Sequence, residues 1–363
     1  MPQTDPGPPH TPTSRPSPHR HPHPHPPRFL PRSNINALPW PTALPLLFSL
    51  LLAALLTRPS LVPNTPGHPG SLLETFLPWL GLAVPLLLAL ALRRRSAATA
   101  LALLLPTAAW LAQFGTLLPH TAAHSPATTH ASHASHPAPL IAVQHNISDE
   151  NQAPSRTAKA LAAPRPALIA VEELTPAALT AFTGTLDADY PHHATHGTVG
   201  LWSAYPLSDV RPVDIRPAAF AGDPHWNRAL RATAATPDGP VAVYVVHLPS
   251  LRLGPTGFGS ARRDESAVLL GAVLAAEPAD RVVLLGDLNG TADDRGLAPV
   301  RTALAAKATP ATTTPGFAFT WPAAFPLARI DQILARSGTV SHVRTLPATP
   351  SDHLPLTAEI LFD

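Results

Sequence analysis

The chain of 363 residues contains no cysteine, one methionine and three tyrosines, and only 13% of its residues are charged. Without cysteine there is no disulfide, no thiolate nucleophile and no thiolate-bound zinc. The compartment is left open by that absence. Lysine is missing from the first 139 residues, where eight arginines face only Asp5 and Glu74, a net +6. The remaining 17 basic and 21 acidic residues leave the C-terminal part at −4. The overall pI of about 9.4 is therefore no argument for nucleic-acid binding by that part. It also lacks a stripe of basic and aromatic residues of the kind that marks a nucleic-acid groove.

What is present divides the chain. Residues 1–37 are dominated by Pro, His, Ser and Arg, with no apolar period, and are expected to be disordered. His19, His21, His23 and His25 are a possible soft-metal tract, although a solvated low-complexity tail explains them equally well. Three charge-free apolar stretches follow: Leu38–Thr57, Phe76–Leu92 and Ala97–Leu118. Each is close to the ~17–25 residues a helix needs to cross a bilayer, which predicts three transmembrane helices. Arg93, Arg94 and Arg95 stand in the short turn between the second and third. The positive-inside bias places that turn and the N-terminal tail in the cytoplasm, and everything after Leu118 outside. Localisation in the cell membrane is expected, as a multi-pass protein contacting the lipid bilayer through three spans. Residues 119–138 are poor in large apolar side chains and read as a flexible tether.

From Pro139 the texture becomes α/β. Strands are expected at Leu140–Asn146, Ala167–Leu174, Thr198–Ser203, Val210–Arg216, Val241–His247, around RVVLLGDLN at Arg281–Asn289, then at Ala328–Leu334, Ser341–Pro347 and Leu356–Leu361. Helices are expected at Ala153–Ala163, Thr175–Leu186 and Ser260–Ala276. One pattern recurs: an apolar strand with polar residues at its C-terminal end, at Asn146, Glu172/Glu173, His247 and Asp287/Asn289, and nearly so at Asp331. Strand ends in an α/β architecture are where a shared site is usually built. Alternation along an extended chain places Asp287 and Asn289 on one face. Any one of these positions is also compatible with an ordinary turn or core residue.

The order Asn, Glu, His, GDLN at 286–289, Asp331 and SDH at 351–353 resembles the endonuclease/exonuclease/phosphatase superfamily. The resemblance covers residues 140–363. It implies an α/β (α+β) four-layer sandwich, two packed mixed β-sheets flanked by helices, over 139–363. It further implies a metal-dependent phosphoric ester hydrolase. On that resemblance, Asp287 and Asn289 position and activate water and meet the phosphate. His247 and His353 contact the phosphate, and Asp331 orients His353. Glu173, Asn146 and Asp352 belong to the metal end, with Glu172 competing for the place of Glu173.

The residue chemistry agrees with that implication. Carboxylates and an amide are hard oxygen donors, suited to Mg²⁺ or Mn²⁺. Several carboxylates facing an anionic ester without a cation would repel it. The substrate class stays broad at this point: nucleic acid, phospholipid or a small phosphodiester. The alternatives are a lipid or inositol phosphate phosphatase and a catalytically silent membrane-anchored binding or scaffold domain of the same fold. Arg262 and Arg263 suit either phosphate contact or an exposed helix face. His145, His192, His193, His196 and His225 read as solvated or local. The sequons at Asn146 and Asn289 coincide with site positions and are not read as glycosylation sites.

Overall fold

The apolar runs LIAVQHN and VVLLGD are continuous because each lies in a sheet covered on both faces. The computed structural model describes residues 40–118, 138–305 and 316–362. The expected tail at 1–37 and nearly all of the expected tether at 119–138 lie outside the described residues. The chain divides into Met1–Trp40 and Pro41–Asp363, and all that follows concerns the second unit.

Among the described residues, thirteen strands run in chain order: β1 Leu140–Asn146, β2 Leu168–Glu172, β3 His192–His196, β4 Val199–Ser203, β5 Leu207–Pro212, β6 Ala229–Thr236, β7 Gly239–His247, β8 Leu253–Gly254, β9 Gly257–Phe258, β10 Val282–Asp287, β11 Asp331–Arg336, β12 Gly338–Thr345 and β13 Leu356–Phe362. They form a six-stranded sheet, order β12-β13-β1-β2-β4-β3, and a five-stranded sheet, order β11-β10-β7-β6-β5, with β8 and β9 as a small hairpin. Nine helices are described: α1 Trp40–Thr57, α2 Pro69–Thr75, α3 Ala83–Arg93, α4 Ala97–Ala102, α5 Leu104–Phe114, α6 Pro154–Ala162, α7 Pro176–Leu186, α8 Ala261–Ala276 and α9 Ala298–Ala305.

The parallel pairs β1/β2 and β7/β10 need crossovers, which α6 and α8 supply. Alternation along β10 explains the layers. Val283 and Leu285 point between the sheets, packing with Ala142, Leu168 and Val245. Val282 and Leu284 point outward onto Leu270 and Leu274 of α8. Across the other sheet, Ile169 and Val171 face Leu161 of α6 and Phe182 of α7. The result is helix–sheet–sheet–helix, the expected two packed mixed sheets flanked by helices. On β6 and β7 of the second sheet a buried ionic cluster replaces apolar packing. Arg231 Nε and Nη2 donate to Glu277 Oε2 and Oε1 at 3.1 and 3.2 Å, and the Tyr244 hydroxyl donates to Glu277 Oε2 at 2.6 Å. Every oxygen of the Glu277 carboxylate is therefore matched, the condition under which a buried charge is tolerated.

Three elements differ from expectation for local reasons. β6, ALRATAAT, is a central strand built from small residues and carries none of the branched-residue signal. β3, HHATH, is a polar strand at a sheet edge. α9 follows a one-turn segment capped by Asp294, whose side chain accepts from Gly296 N at 2.8 Å, and its APVR start hides the helix.

The three-span expectation is met by one helix of full length. Among the described residues, only the helical stretch Ala97–Leu117, α4 and α5 with the turn after them, is long and apolar enough by itself to cross a membrane. The second stretch passes that test only jointly with Pro69–Thr75, and the pair is bent by 72°. Leu77–Leu82 is a tight 3-10 turn with Pro78 at its start, where a missing N–H and a fixed φ favour helix initiation over continuation. The first stretch gives a shorter apolar helix, Ala43–Thr57, with Pro45 inside α1.

Candidate active site

Register alone brings the polar strand ends together. β1 and β2 set Asn146 beside Glu172. β10 sets Asp287 beside His247 on one side and beside Asp331 on the other. Both parallel pairs end at the same edge, and antiparallel β11 begins there. Gly286 makes the approach possible, because a Cβ at that position would stand 1.9 Å from the Val246 carbonyl oxygen.

The centre is a carboxylate–histidine constellation. His353 Nδ1 and Asp331 Oδ2 are 2.8 Å apart, and His353 Nε2 stands 3.8 Å from Asp287 Oδ2. One ligand-capable atom from each of Asp287, Asp331 and His353 lies within 4.8 Å of the others. Asn146 Nδ2 donates to both Glu173 Oε1 and Asp287 Oδ2 at 3.1 Å. Its Oδ1 accepts from Ser148 N at 3.1 Å. The family resemblance places Asn146 at the metal end. Here its amide spans two carboxylates through the NH₂ group, because Ser148 N–H can only donate and so fixes which end of the amide it meets.

Glu173 and Glu172 separate cleanly. Glu173 leaves the strand at φ +58, takes Asp149 N on Oε2 at 3.2 Å and lines the cavity. Glu172 is fully buried behind the site, accepting from Gln144 Nε2 at 2.6 Å. Asn289 corrects an expectation. It does not share a strand face with Asp287, because it turns out of the strand at φ +47. Its backbone N donates to Asp287 Oδ1 at 2.9 Å, closing an Asx turn, and its Nδ2 donates to the Leu248 carbonyl at 3.0 Å. His247 is expected on phosphate but is 1% exposed. Its Nε2 faces Asp287 Oδ2 at 3.7 Å and Glu173 Oε1 at 3.9 Å from below the site. Asp352 sits at the exposed rim, where Trp321 Nε1 donates to its Oδ2 at 3.2 Å, apart from the Asp287, Asp331 and His353 group.

Four further residues shape the site. Gln144 bridges Glu172 and Asp331, donating to Asp331 Oδ1 at 3.0 Å. Its signal in the sequence is a polar residue two places before Asn146 on the same strand face. Ser351 donates to the Asn146 carbonyl at 2.7 Å and accepts from His353 N at 3.1 Å, tying the last loop to β1. Arg228 Nη1 stands 3.5 Å from His247 Nδ1. Arg263 is neither exposed nor a phosphate contact. It is fully buried, donating to the Asn289 carbonyl at 2.8 Å and to Asp294 Oδ2 at 2.6 Å. His145, read as solvated or local, is also fully buried. Its Nε2 lies 2.7 Å from Thr349 Oγ1, and burial holds its pKa down to about 3.

The electrostatics follow from burial and proximity. Burial opposes charge on His353, but the carboxylates of Asp331 and Asp287 and the Asp331 hydrogen bond push its pKa up to about 10. Burial and the neighbouring Asp331 raise Asp287 to about 7 against the pull of His353. Burial raises Asp331 as well, but His353 and its hydrogen bonds bring it below the usual carboxylate value. Burial, then Asp331 and Asp287, raise Glu172 well above its ordinary value. Burial and Arg228 hold His247 neutral. All this faces a cavity of about 820 Å³, within the range of small-molecule sites.

A four-layer α/β sandwich with a carboxylate–histidine site across the strand ends of both sheets defines the class. The sequence model described as Endonuclease/Exonuclease/phosphatase family matches residues 143–353, and the chain belongs to that family, whose members are generally metal-dependent hydrolases of phosphoesters. A beta toxin from Staphylococcus aureus aligns at 16% identity with a TM-score of 0.50, over 60% of this chain and 99% of its own. Sphingomyelinase C from Streptomyces griseocarneus aligns at 18% identity with a TM-score of 0.47, over 61% of this chain and 99% of its own. A second beta toxin structure from Staphylococcus aureus, with bound magnesium ions, aligns at 16% identity and TM-score 0.47, over 61% and 99%. These likenesses are of fold. A search of curated protein sequences returned no match.

The donor set fits a hard divalent cation. Two buried acceptor oxygens next to the centre, Gln144 Oε1 and Glu172 Oε1, have no hydrogen-bond partner. Asp287 and Glu172 are both raised, first by burial and then by the neighbouring carboxylates, and a cation would offset both effects. Glu173, which borders the cavity, and Asp287 are the residues that could hold it. Asp331 is the weaker candidate, since its oxygens are already engaged by His353 and Gln144.

Proposed function

We propose that this protein is a membrane-anchored, divalent-metal-dependent phosphoesterase that hydrolyses a phosphodiester. The observation that carries the reading is the convergence of Asp287, Asp331 and His353 within 4.8 Å at the end of a cavity also bordered by Glu173 and Asn146. Asp287, with a pKa near neutrality, is suited to take a proton from an attacking water. His353, cationic at neutral pH and oriented through Nδ1 by Asp331, turns Nε2 toward Asp287, where it can donate to a phosphoryl or leaving oxygen. Asn146 keeps Glu173 and Asp287 in register, and the Asn289 turn fixes the Asp287 carboxylate. Bound Mg²⁺ or Mn²⁺ supplies charge neutralisation of the ester and a more acidic water.

The test uses the full chain in detergent with bis(p-nitrophenyl) phosphate and either metal. Turnover with Mg²⁺ or Mn²⁺ that disappears on addition of EDTA is the expected result. Absence of turnover on this ester and on DNA, RNA, sphingomyelin and inositol phosphates would leave the silent binding domain as the reading.

Anchoring is supported by the surface of the N-terminal helices. Leu47, Leu51, Leu86, Leu92, Leu101 and Leu104 are among the many large apolar side chains exposed there, far more than a solvated surface usually carries in one place. Leu52, Leu56, Leu77 and Phe114 pack with Phe317 of the C-terminal domain at one end. Arg93, Arg94 and Arg95 are exposed in the turn after α3. With that arginine turn cytoplasmic, the phosphoesterase domain faces outward, at the cell membrane. External protease acting on intact cells then degrades the C-terminal domain, and a protected domain refutes this orientation.

A further inference from the structure

The segment between the first two apolar stretches is built into the wall of the catalytic cavity. Three contacts seat it. Gly67 and Gly257 meet backbone to backbone at φ +95 and +98, and Phe258 N donates to the Gly67 carbonyl at 2.8 Å. A Cβ on Gly257 would stand 2.4 Å from Gly67 Cα, so the contact requires glycine. His68 Nδ1 accepts from Ser260 N at 3.2 Å and lies 2.6 Å from Ser260 Oγ. Glu74, 4% exposed, accepts from Arg295 Nε on both oxygens at 2.9 Å and from Arg295 N at 2.8 Å. Arg295 also donates to the carbonyls of Val62 and Pro59, at 2.8 and 3.0 Å. Glu74 is the single acidic residue between Asp5 and Asp149, and it is spent on this attachment. The neighbouring Asp294 holds Arg263, which in turn holds the Asn289 carbonyl.

The attachment places Leu72, Thr75 and Phe76 on the lining of the same cavity as Asn146, Glu173, Asp287 and His353. Leu253 and Phe258 of the β8/β9 hairpin, against which the segment docks, line it too. Leu253 is 73% exposed. The cavity therefore combines charged groups for a phosphate with an apolar wall that a phosphate cannot use. A wholly polar ester would leave that wall wet, whereas an aliphatic group against it gains the free energy of apolar burial.

We infer that Leu72 and Phe76 are specificity-determining residues, and that the preferred phosphoester carries an aliphatic group lying against them, with Leu253 and Phe258. This rests on the phosphoesterase reading and narrows its substrate class. The segment that links the first two apolar helices thus contributes to substrate choice.

The test compares methyl and hexyl p-nitrophenyl phosphate, two diesters with one leaving group, using the full chain in lipid nanodiscs with Mg²⁺ or Mn²⁺. Water attacks phosphorus, the bond to the aryl oxygen breaks, and p-nitrophenolate leaves with alkyl phosphate remaining. Wild type is expected to favour the hexyl ester in kcat/KM by about tenfold or more, from burial of part of the five added methylenes. Phe76→Ser and Leu72→Ser bring the ratio to about one, while Phe76→Leu keeps it. Equal kcat/KM for the two esters in wild type, or a preference retained by both serine variants, overturns the inference. If neither ester turns over, the phosphoesterase reading is decided by the wider substrate panel above, and the wall is judged by calorimetric binding of hexyl against methyl phosphate. Tighter hexyl binding that Phe76→Ser abolishes upholds the wall, and equal binding of the two overturns it.

Discussion

Asp287→Ala lowers kcat for bis(p-nitrophenyl) phosphate by about a thousandfold or more and leaves the fold standing. The magnitude follows from the two roles the geometry gives one side chain. It accepts the water's proton, a contribution of about 10²–10⁴ on its own. It also offers, with Glu173, the oxygens that suit a divalent cation. The stability half of the prediction separates catalysis from misfolding. The Asp287 carboxyl is 1% exposed and its pKa is raised to about 7, so at neutral pH burial already works against its charge. Removing it relieves crowding with Asp331 and Glu172, at the cost of the Asn289 N hydrogen bond and one of the two made by Asn146 Nδ2. The thermal unfolding midpoint is then expected to stay within a few degrees of wild type. Residual activity within tenfold of wild type, in a folded variant, would remove Asp287 from the centre of the mechanism.

The parts of this site visible in the sequence are those where a strand delivers a side chain by alternation and register. Asp287, His247 and Asp331 stand in adjacent strands at matched positions, and the apolar runs that set them there are readable without coordinates. The illegible parts are those that depend on leaving regular structure. Asn289 departs from the strand at φ +47, so a two-residue alternation misplaces its side chain. Arg263 reads as a surface residue from its RRDE setting, yet α8 turns it inward to meet Asp294, 31 positions later, and the Asn289 carbonyl. A buried arginine of this kind is announced only by its partners. Glu172 and Glu173 are indistinguishable as a pair in sequence. They differ because one is the last residue in the strand and the other has turned at φ +58.

The N-terminal region shows the opposite balance. Its apolar stretches are conspicuous, but where each helix breaks depends on Pro45, Pro78 and the docking of α2. Composition shows Glu74 only as a lone acidic residue between two apolar stretches. Its pairing with Arg295, 221 residues away, turns a connecting loop into part of the cavity. Long-range ion pairs leave no periodic trace, so this link between the two halves is a property of the fold alone.

His353→Gln removes a pH-dependent share of stability, and the sign of the dependence tests the state of the pair with Asp331. The His353 pKa in the folded protein is about 10 against an ordinary 6.5. Its contribution is therefore fully present below pH ~6.5 and is lost as pH rises toward 10. Asp331 is depressed below 3.8, so its share is present above that value and fades as pH falls through its folded pKa. Glutamine keeps a donor for Asp331 but does not titrate in this range. In metal-free buffer, the gap in unfolding free energy between wild type and His353→Gln is expected to be widest between pH ~4.5 and ~6.5. It narrows steadily above that and closes near pH 10. Its ceiling is about 5 kcal/mol, from a shift of 3.5 (10 against 6.5) at ~1.36 kcal/mol each. The carboxylates Asp331 at 2.8 Å, Asp287 at 3.8 Å and the nearby Asp352 all raise the imidazole pKa, while the neighbouring His247 and His145 are held neutral by burial and add no opposing charge. A gap that is flat with pH, or that widens on the alkaline side, would mean the imidazole is neutral in the folded protein. His353 would then be unable to act as the donor to phosphate, and the catalytic proton would have to come from elsewhere.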